Sequence, residues 1–172
     1  TDVAFINAVI RYILEHDLWF HEYVLHYTNA ATLINPGFSF NQETGLFNGW
    51  DEAKNAYADE TDSWEYQYEI NPDGSYGQPK TDPTMQNPHC VLQLLKKQVE
   101  KYTPEAAAQI CGCRPTDVIK VAELMARNSG REKTTAFCYA TGFTQHASGA
   151  QIIRSIAILQ LLLGNIGRPG GG

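Results

Sequence analysis

The sequence is poor in basic residues and has no apolar run long enough to cross a membrane. It contains 13 Lys and Arg against 19 Asp and Glu, which gives a formal net charge of −6 at pH 7. The basic side chains are scattered rather than gathered into a stripe, so the composition argues against a nucleic-acid partner. The most apolar stretch, residues 151–163, contains Gln160 and is followed by Gly164. It falls short of the roughly 18 residues that a membrane span requires.

Cysteine is also scarce, with four residues in a chain of 172. This number does not indicate a disulfide framework. Cys111 and Cys113 are too closely spaced for the usual zinc knuckle, and no cluster of Cys or His follows them at the expected distance. Half-buried thiols at a helix end are therefore favoured over a metal site. Cys90 and Cys138 lie among apolar residues and are predicted to be in the core.

Helical spacing of apolar residues begins at the N-terminus. A first helix is predicted from Thr1-Asp2, and Asp17 is expected to cap a shorter second helix. The apolar face of the first helix contains Val3, Ile6, Ile10, Ile13 and Leu14, and the second helix carries Trp19, Tyr23 and Val24. The histidines at 16, 21 and 26 recur every five residues, so they turn around a helix rather than align, and we expect surface positions rather than metal ligands.

Residues 35–88 are rich in Pro, Gly, Asn, Asp and aromatic residues and lack a sustained helical period. Alternation over 64–70 followed by the turn signal at 71–74 predicts one hairpin. Such a long irregular excursion is uncommon in a compact domain and indicates a functional or interface-forming segment. Helical patterns resume over 89–101, at Thr103-Pro104-Glu105 up to Gly112, and from Pro115 to Gly130.

The stretch "CYATGFTQHASGAQ", residues 138–151, joins two different patterns. Residues 134–140 are β-branched, aromatic and almost uncharged, which predicts a buried strand, and 151–163 predict a helix that is apolar nearly all round. A turn between a strand and a helix is where open α/β sheets usually bind ligands. Because only one strong strand accompanies many helices, we expect a helix-rich portion of a Rossmann-like parallel-sheet domain, with its sheet completed by chain outside this segment.

Three stretches resemble the large subunit of molybdenum- or tungsten-dependent formate dehydrogenases, in the dimethyl sulfoxide reductase family. They are "TDVAFINAVIRYILEHDLWFHEYVLHYTNAATLI", "MQNPHCVLQLLKKQVEKYTPEAAAQICG" and "ATGFTQHASGAQIIRSIAILQLLLGNIGRPGGG", and their order and spacing cover nearly the whole chain. The resemblance implies that residues 1–172 are one interior segment of a molybdopterin-binding α/β domain. It also implies two molybdopterin guanine dinucleotides with Mo or W, and a 4Fe-4S cluster elsewhere in the parent subunit.

The resemblance also nominates cofactor-binding residues. The turn Thr141, Gly142, Phe143, Thr144, Gln145 and His146 matches a family turn whose first position and Gln lie beside the pterin, although the family often has Met where this chain has Thr141. Asp2, with Thr1, matches a segment that binds a guanine dinucleotide. From the residues themselves, Gly142 permits close approach of the backbone, and the amide of Gln145 offers donors and acceptors to a pterin edge.

By the family's pattern, the catalytic Cys or selenocysteine and its His lie before Thr1, and the formate-orienting Arg follows Gly172. We therefore expect no catalytic residue in this chain and no protein ligand to the metal. His146 is expected to line the cofactor cavity or to donate a structural hydrogen bond. Arg154, on an apolar helix, is expected to have a hydrogen-bonded partner.

The implied reaction is oxidation of formate to carbon dioxide, with electrons passing through the pterin to an iron–sulfur electron-transfer subunit in anaerobic respiration. Family members with a Tyr-Thr-Asn-Ala segment of this kind are often periplasmic, although a cytoplasmic location remains open. Two alternatives also stay open. The parent could be another molybdopterin enzyme such as a nitrate reductase, or the chain could be a non-catalytic subunit-docking domain.

Overall fold

A computed structural model of the chain describes residues 1–58 and 61–172. The chain divides into two compact units, one formed by residues 1–28 with 99–172 and the other by residues 29–98. The first unit is helical, and the second carries short strands. Over the described residues, no helix has both the length and the apolar character needed to span a bilayer.

Seven helices lie in the described part of the chain. They are α1 (Asp2–Glu15), α2 (His21–Tyr27), α3 (Val91–Val99), α4 (Pro104–Cys111), α5 (Pro115–Arg127), α6 (Thr141–Thr144) and α7 (Gly149–Leu162). All belong to the first unit except α3, of which only the last residue does. The helices predicted from residue 1, over 89–101, over 103–112, from 115 and over 151–163 are thereby confirmed.

Helix α1 forms the centre of the first unit. It packs against α4, α5 and α7, and its buried residues include Ile6, Ile10, Ile13 and Leu14 from the predicted face. Ile10 and Ile13 are 0% exposed. Full burial of such a side chain contributes about 1.5–3 kcal/mol, so this face supplies a large share of the unit's hydrophobic stabilisation.

Asp17 ends α1 and does not cap α2, so that prediction was wrong. Its backbone lies in the left-handed region with φ 55°, and the N–H of Leu18 donates to the carbonyl of Ile13 over 2.9 Å. This is the arrangement that closes a helix C-terminus, and Asp adopts it more readily than most residues do. Helix α2 begins only at His21, so Trp19 lies in the connection, where it is buried against the ring of His21.

The predicted start and end of α4 are confirmed by their geometry. The hydroxyl oxygen of Thr103 accepts a hydrogen bond from the N–H of Ala106 over 3.0 Å, and Gly112 follows the helix with φ 71°. Cys111, the last residue of α4, and Cys113 are half-buried free thiols, as expected. Cys90 is a core residue, whereas Cys138 is exposed and was wrongly assigned to the core.

The second unit contains two small antiparallel sheets. Strands β1 (Trp50–Asp51) and β2 (Ala56–Tyr57) form one sheet, β3 (Tyr68–Ile70) and β4 (Tyr76–Pro79) form the other, and a 3₁₀ helix spans Asp62–Trp64. The second sheet is the predicted hairpin. Its turn is closed by the N–H of Asn71 donating to the carbonyl of Ser75 and by the N–H of Gly74 donating to the carbonyl of Asn71, both over 2.9 Å.

Aromatic rings pack against one another in the second unit. The cluster contains Phe38, Phe40, Phe47, Trp50, Tyr57 and Trp64, with neighbouring ring centroids 5.0–6.5 Å apart. The indole N–H of Trp64 donates to the carbonyl of Asn48 over 3.1 Å, which satisfies the polar end of a largely apolar ring. The aromatic residues of the excursion therefore pack mainly on one another, as a partly exposed cluster.

The mixture of helices and small sheets agrees with a broad α/β class, but the described residues contain no parallel sheet. The predicted buried strand over 134–140 was wrong, because these residues form no strand and most of them are exposed. Strand composition alone does not produce a strand, since extended backbone pairs only where a neighbouring strand offers its N–H and C=O groups. Neither two-stranded sheet extends to this segment.

The loop over 82–87 provides a pH-dependent test. The carboxylate of Asp82 accepts hydrogen bonds from the hydroxyl of Thr84 at 2.7 Å and from the N–H groups of Thr84, Gln86 and Asn87 at 2.9–3.1 Å. The hydroxyl of Thr84 is the largest cause of a lowered pKa at Asp82, followed by the N–H of Asn87. The charged carboxylate therefore stabilises the folded loop above the ordinary Asp pKa of about 3.9, and this stabilisation is lost as the pH falls toward the lowered value.

We expect amide protection at residues 84–87, corrected for intrinsic exchange, to fall as the full-length protein is taken from about pH 6 to below about pH 4. In Asp82→Asn the protection should be lower at pH 6 and nearly independent of pH. Hydrogen-exchange mass spectrometry measures both. Equal pH profiles in the parent and the variant would contradict the assignment.

Candidate functional site

The six-residue turn nominated from the sequence consists of the short helix α6 and the two residues that follow it. Thr141, Gly142, Thr144, Gln145 and His146 are exposed, and Phe143 is half-buried with its ring stacked on Tyr139 at a centroid distance of 6.0 Å. The structure thus presents the polar members of the turn as one contiguous surface at the start of α7.

Backbone hydrogen bonds fold this turn back on itself. The N–H of Gln145 donates to the carbonyl of Thr141 over 2.9 Å, and the N–H of Gly149 donates to that of His146 over 2.9 Å. The side chains of Gln145 and His146 have no hydrogen-bond partner among the described residues. Their donors and acceptors are therefore open to a ligand.

Gly149 is the glycine that the local packing of the turn requires, and the sequence analysis missed it. A Cβ at this position would lie 2.6 Å from the backbone oxygen of Thr144 and 3.0 Å from that of Phe143. Gly142, by contrast, lies in helical backbone with nothing within 4 Å of a Cβ built there. The backbone conformation at Gly142 does not require glycine. The absence of a side chain there leaves the backbone open to the close approach of another group.

The other nominated residues lie at the beginning of α1. Thr1 is exposed and occupies the N-cap position without a side-chain capping bond, and Asp2 is half-buried in the first turn. The thiol of Cys111 donates to the carbonyl of Thr1 over 3.3 Å, and burial is the largest cause of the raised pKa of that thiol. The carboxylate of Asp2 has no hydrogen-bond partner in the described part of the chain, so it remains free to accept from a ligand.

The structure does not join the two groups of nominated residues directly. No hydrogen bond between described residues connects Thr1 or Asp2 with the turn at 141–146. Two surface grooves of the first unit, with volumes of about 810 and 640 Å³, are lined by none of the nominated residues.

Arg154 is exposed on α7, and its guanidinium has no partner among the described residues, so the expectation of a hydrogen-bonded partner was wrong. The reason is that α7 is buried on one side rather than all round. Its buried positions, Ile152, Ser155, Ile156, Leu159 and Gln160, leave Arg154 on the opposite face. Among the described residues, no three His, Cys, Asp or Glu side chains are grouped in a way that could hold a metal ion.

Comparison with known proteins identifies relatives over the full length of the chain. No family model matches it. It is 46% identical over all 172 residues to the nitrate-inducible formate dehydrogenase major subunit of Escherichia coli K12, and 46% identical to the formate dehydrogenase major subunit of Haemophilus influenzae. It is 40% identical to the formate dehydrogenase subunit alpha of Megalodesulfovibrio gigas. The chain spans 16% of the length of each of these relatives.

All three relatives are major or alpha subunits of formate dehydrogenases. The resemblance inferred from the sequence is therefore confirmed, and the chain matches one segment of the formate dehydrogenase major or alpha subunit. The contacts assigned to Thr1, Asp2 and residues 141–146 stay predictions.

Substitution at Gly149 tests the packing between the turn and α7. We expect Gly149→Ala in the cofactor-free full-length protein to destabilise this region by about 1–3 kcal/mol, because the added methyl group meets backbone rather than a movable side chain. Gly142→Ala is the matched control, since it adds a methyl group to open space and raises helix propensity. Local hydrogen exchange over 141–152 measures the difference. Equal exchange in the two variants would refute the packing argument.

Proposed function

We propose that the chain is part of the catalytic subunit of a formate dehydrogenase, which oxidises formate to carbon dioxide. The observation that carries this proposal is the identity of 40–46% to such subunits over every residue of the chain. Two electrons leave the substrate in this reaction, and they pass to a 4Fe-4S cluster elsewhere in the subunit and then to an iron–sulfur partner subunit.

The role proposed for this segment is to cradle a molybdopterin guanine dinucleotide. The surface formed by Thr141, Gly142, Phe143, Thr144, Gln145 and His146 fits a flat, hydrogen-bonding ring system. The space over Gly142 is open, and the carboxamide of Gln145 carries both donors and an acceptor without a partner among the described residues. The first turn of α7, which begins at Gly149 shortly after these residues, favours negative charge such as that of phosphate groups.

Asp2, with Thr1 beside it, is proposed to bind the guanine end of such a dinucleotide. An ionised carboxylate accepts hydrogen bonds only, and guanine presents a ring N–H and an amino group on one edge. The half-buried position of Asp2 at the start of α1 strengthens such bonds relative to bulk water. When bound, the cofactor with its Mo or W accepts the electrons that no side chain can take up. The residues of this chain hold and orient it.

Two structural expectations belong to the same proposal. A parallel Rossmann-like sheet would be completed by chain outside this segment, which would make residues 1–172 one segment of a larger α/β domain. The subunit is further proposed to act in the periplasm, and cell fractionation of the native organism would test this location.

The first experiment combines metal and pterin analysis of the full-length protein with a formate-dependent dye-reduction assay. We expect Mo or W, pterin fluorescence after oxidation, and dye reduction that depends on formate. If metal and pterin are present but formate activity is absent, the parent protein would be assigned as a related oxidoreductase such as a nitrate reductase instead of a formate dehydrogenase. Absence of both metal and pterin would favour a subunit-docking role.

Gln145→Ala tests the proposed contact with the cofactor. We expect cofactor retention or formate turnover to fall about fivefold to thirtyfold, since one or two hydrogen bonds of about 1 kcal/mol each are lost. Gln109→Ala is the matched control, because Gln109 is an exposed Gln on α4. If metal content and turnover of Gln145→Ala equal those of the control, Gln145 does not belong to the site.

A further inference from the structure

Two buried carboxamides lie behind the extended segment that leads to the turn. Asn165 is 0% exposed and Gln160 is 1% exposed, although both side chains are polar. Together with Ser129 and Thr135 they form a hydrogen-bonded group, which we call the Asn165 cluster. In the sequence, Gln160 only interrupts an apolar run, and no pattern indicates a role for Asn165.

The cluster forms hydrogen bonds with both backbone polar groups of Thr135, its N–H and its carbonyl. Asn165 Oδ1 accepts from the N–H of Thr135 over 3.2 Å, and Gln160 Nε2 donates to the carbonyl of Thr135 over 2.8 Å. A neighbouring β-strand would offer the same pair of contacts to an extended residue. The two carboxamides therefore replace a strand partner at this point, although the segment belongs to no sheet among the described residues.

The orientation of both amides is fixed by further contacts. Asn165 Nδ2 lies 2.8 Å from Gln160 Oε1, 2.9 Å from Thr135 Oγ1 and 3.0 Å from Ser129 Oγ. Gln160 Nε2 also donates to the carbonyl of Gly172 over 2.6 Å. Since that carbonyl also accepts from the N–H of Phe137 over 3.0 Å, the held part of the segment extends from Thr135 to Phe137.

Only residues 138–140 separate Phe137 from the start of the turn. On its other side, the turn lies against Gly149, where a methyl group would approach the backbone oxygen of Thr144 to 2.6 Å. Within the turn, the hydroxyl of Thr144 donates to the carbonyl of Ala140 over 3.4 Å, a long and weak hydrogen bond. The position of the turn is thus set from its two ends, and the Asn165 cluster fixes the upstream end.

We propose that Asn165 and Gln160 are positioning residues for the turn at 141–146, acting through Thr135 and Phe137 rather than by touching the cofactor. This inference rests on the proposed function, in which that turn contacts the pterin. A fully satisfied buried polar network specifies one arrangement of its members more strictly than apolar packing does, and the cost of leaving any member unpaired keeps it in place.

The test uses the full-length protein with Asn165→Asp, a substitution of nearly equal shape whose carboxylate cannot donate to Gln160 Oε1. We expect amide exchange over residues 135–146 of the cofactor-free protein to become at least tenfold faster. In the loaded enzyme, we expect the EPR spectrum of the Mo(V) or W(V) state to change. The control is Ser155→Ala, which alters another buried polar side chain of α7 outside the cluster and should leave exchange and spectrum unchanged.

The possible outcomes separate this inference from the proposed function. Faster exchange with a changed spectrum supports positioning. Unchanged exchange, or faster exchange with an unchanged spectrum, overturns it. If Gln145→Ala alters cofactor content or spectrum while Asn165→Asp does not, only the positioning inference fails. If Gln145→Ala changes neither the cofactor content nor the EPR spectrum, the proposed contact between Gln145 and the cofactor is wrong. This conclusion does not depend on the effect of Asn165→Asp on amide exchange.

A folding defect in the first variant would not end the test. Gln160→Met keeps the side-chain volume and removes both donors, and it would then replace Asn165→Asp with the same expected results. If neither variant accumulates as folded protein while Ser155→Ala does, the cluster is required for folding as a whole, and the positioning inference is overturned.

Discussion

The buried face of α1 is the contact on which the first unit depends. Residues near the N-terminus supply this helix, whereas α4, α5 and α7, which pack around it, come from the second half of the chain. Its fully buried Ile10 and Ile13 therefore hold together segments that lie about 100 or more residues apart in sequence. The intervening residues 29–98 form a separate compact unit.

Elements specified by neighbouring residues could be predicted from the sequence. Helix α4 is one example, because Thr103 satisfies an N–H three residues later and Gly112 takes a left-handed conformation directly after the last turn. The hairpin of β3 and β4 is another, since its turn residues close the loop through their own backbone. Asp17 shows the limit of this approach. Asp is favourable both before a helix and after one, and only the geometry shows that it ends α1.

Features that depend on distant residues could not be predicted in the same way. The composition of residues 134–140 is that of a strand, but their environment is set by α7 and by the loop after it, which supply side-chain amides instead of a strand. For the nominated turn, the exposure of Gln145 and His146 agrees with a binding role. Gly149 is required because its backbone lies close to the backbone oxygen of Thr144. The neighbouring residues in the sequence do not distinguish Gly149 from Gly142 in this respect.

The aromatic cluster of the second unit has a consequence for how this part of the chain can change during evolution. Strands of two to four residues contribute few ladder hydrogen bonds, so the arrangement of the unit is specified mainly by rings such as Phe47, Tyr57 and Trp64 meeting one another. The turn at 52–55, between Trp50 and Tyr57, is exposed, and insertions and deletions are tolerated best in such surface turns. Homologous segments can therefore differ in length at this turn while the rings keep their contacts with one another.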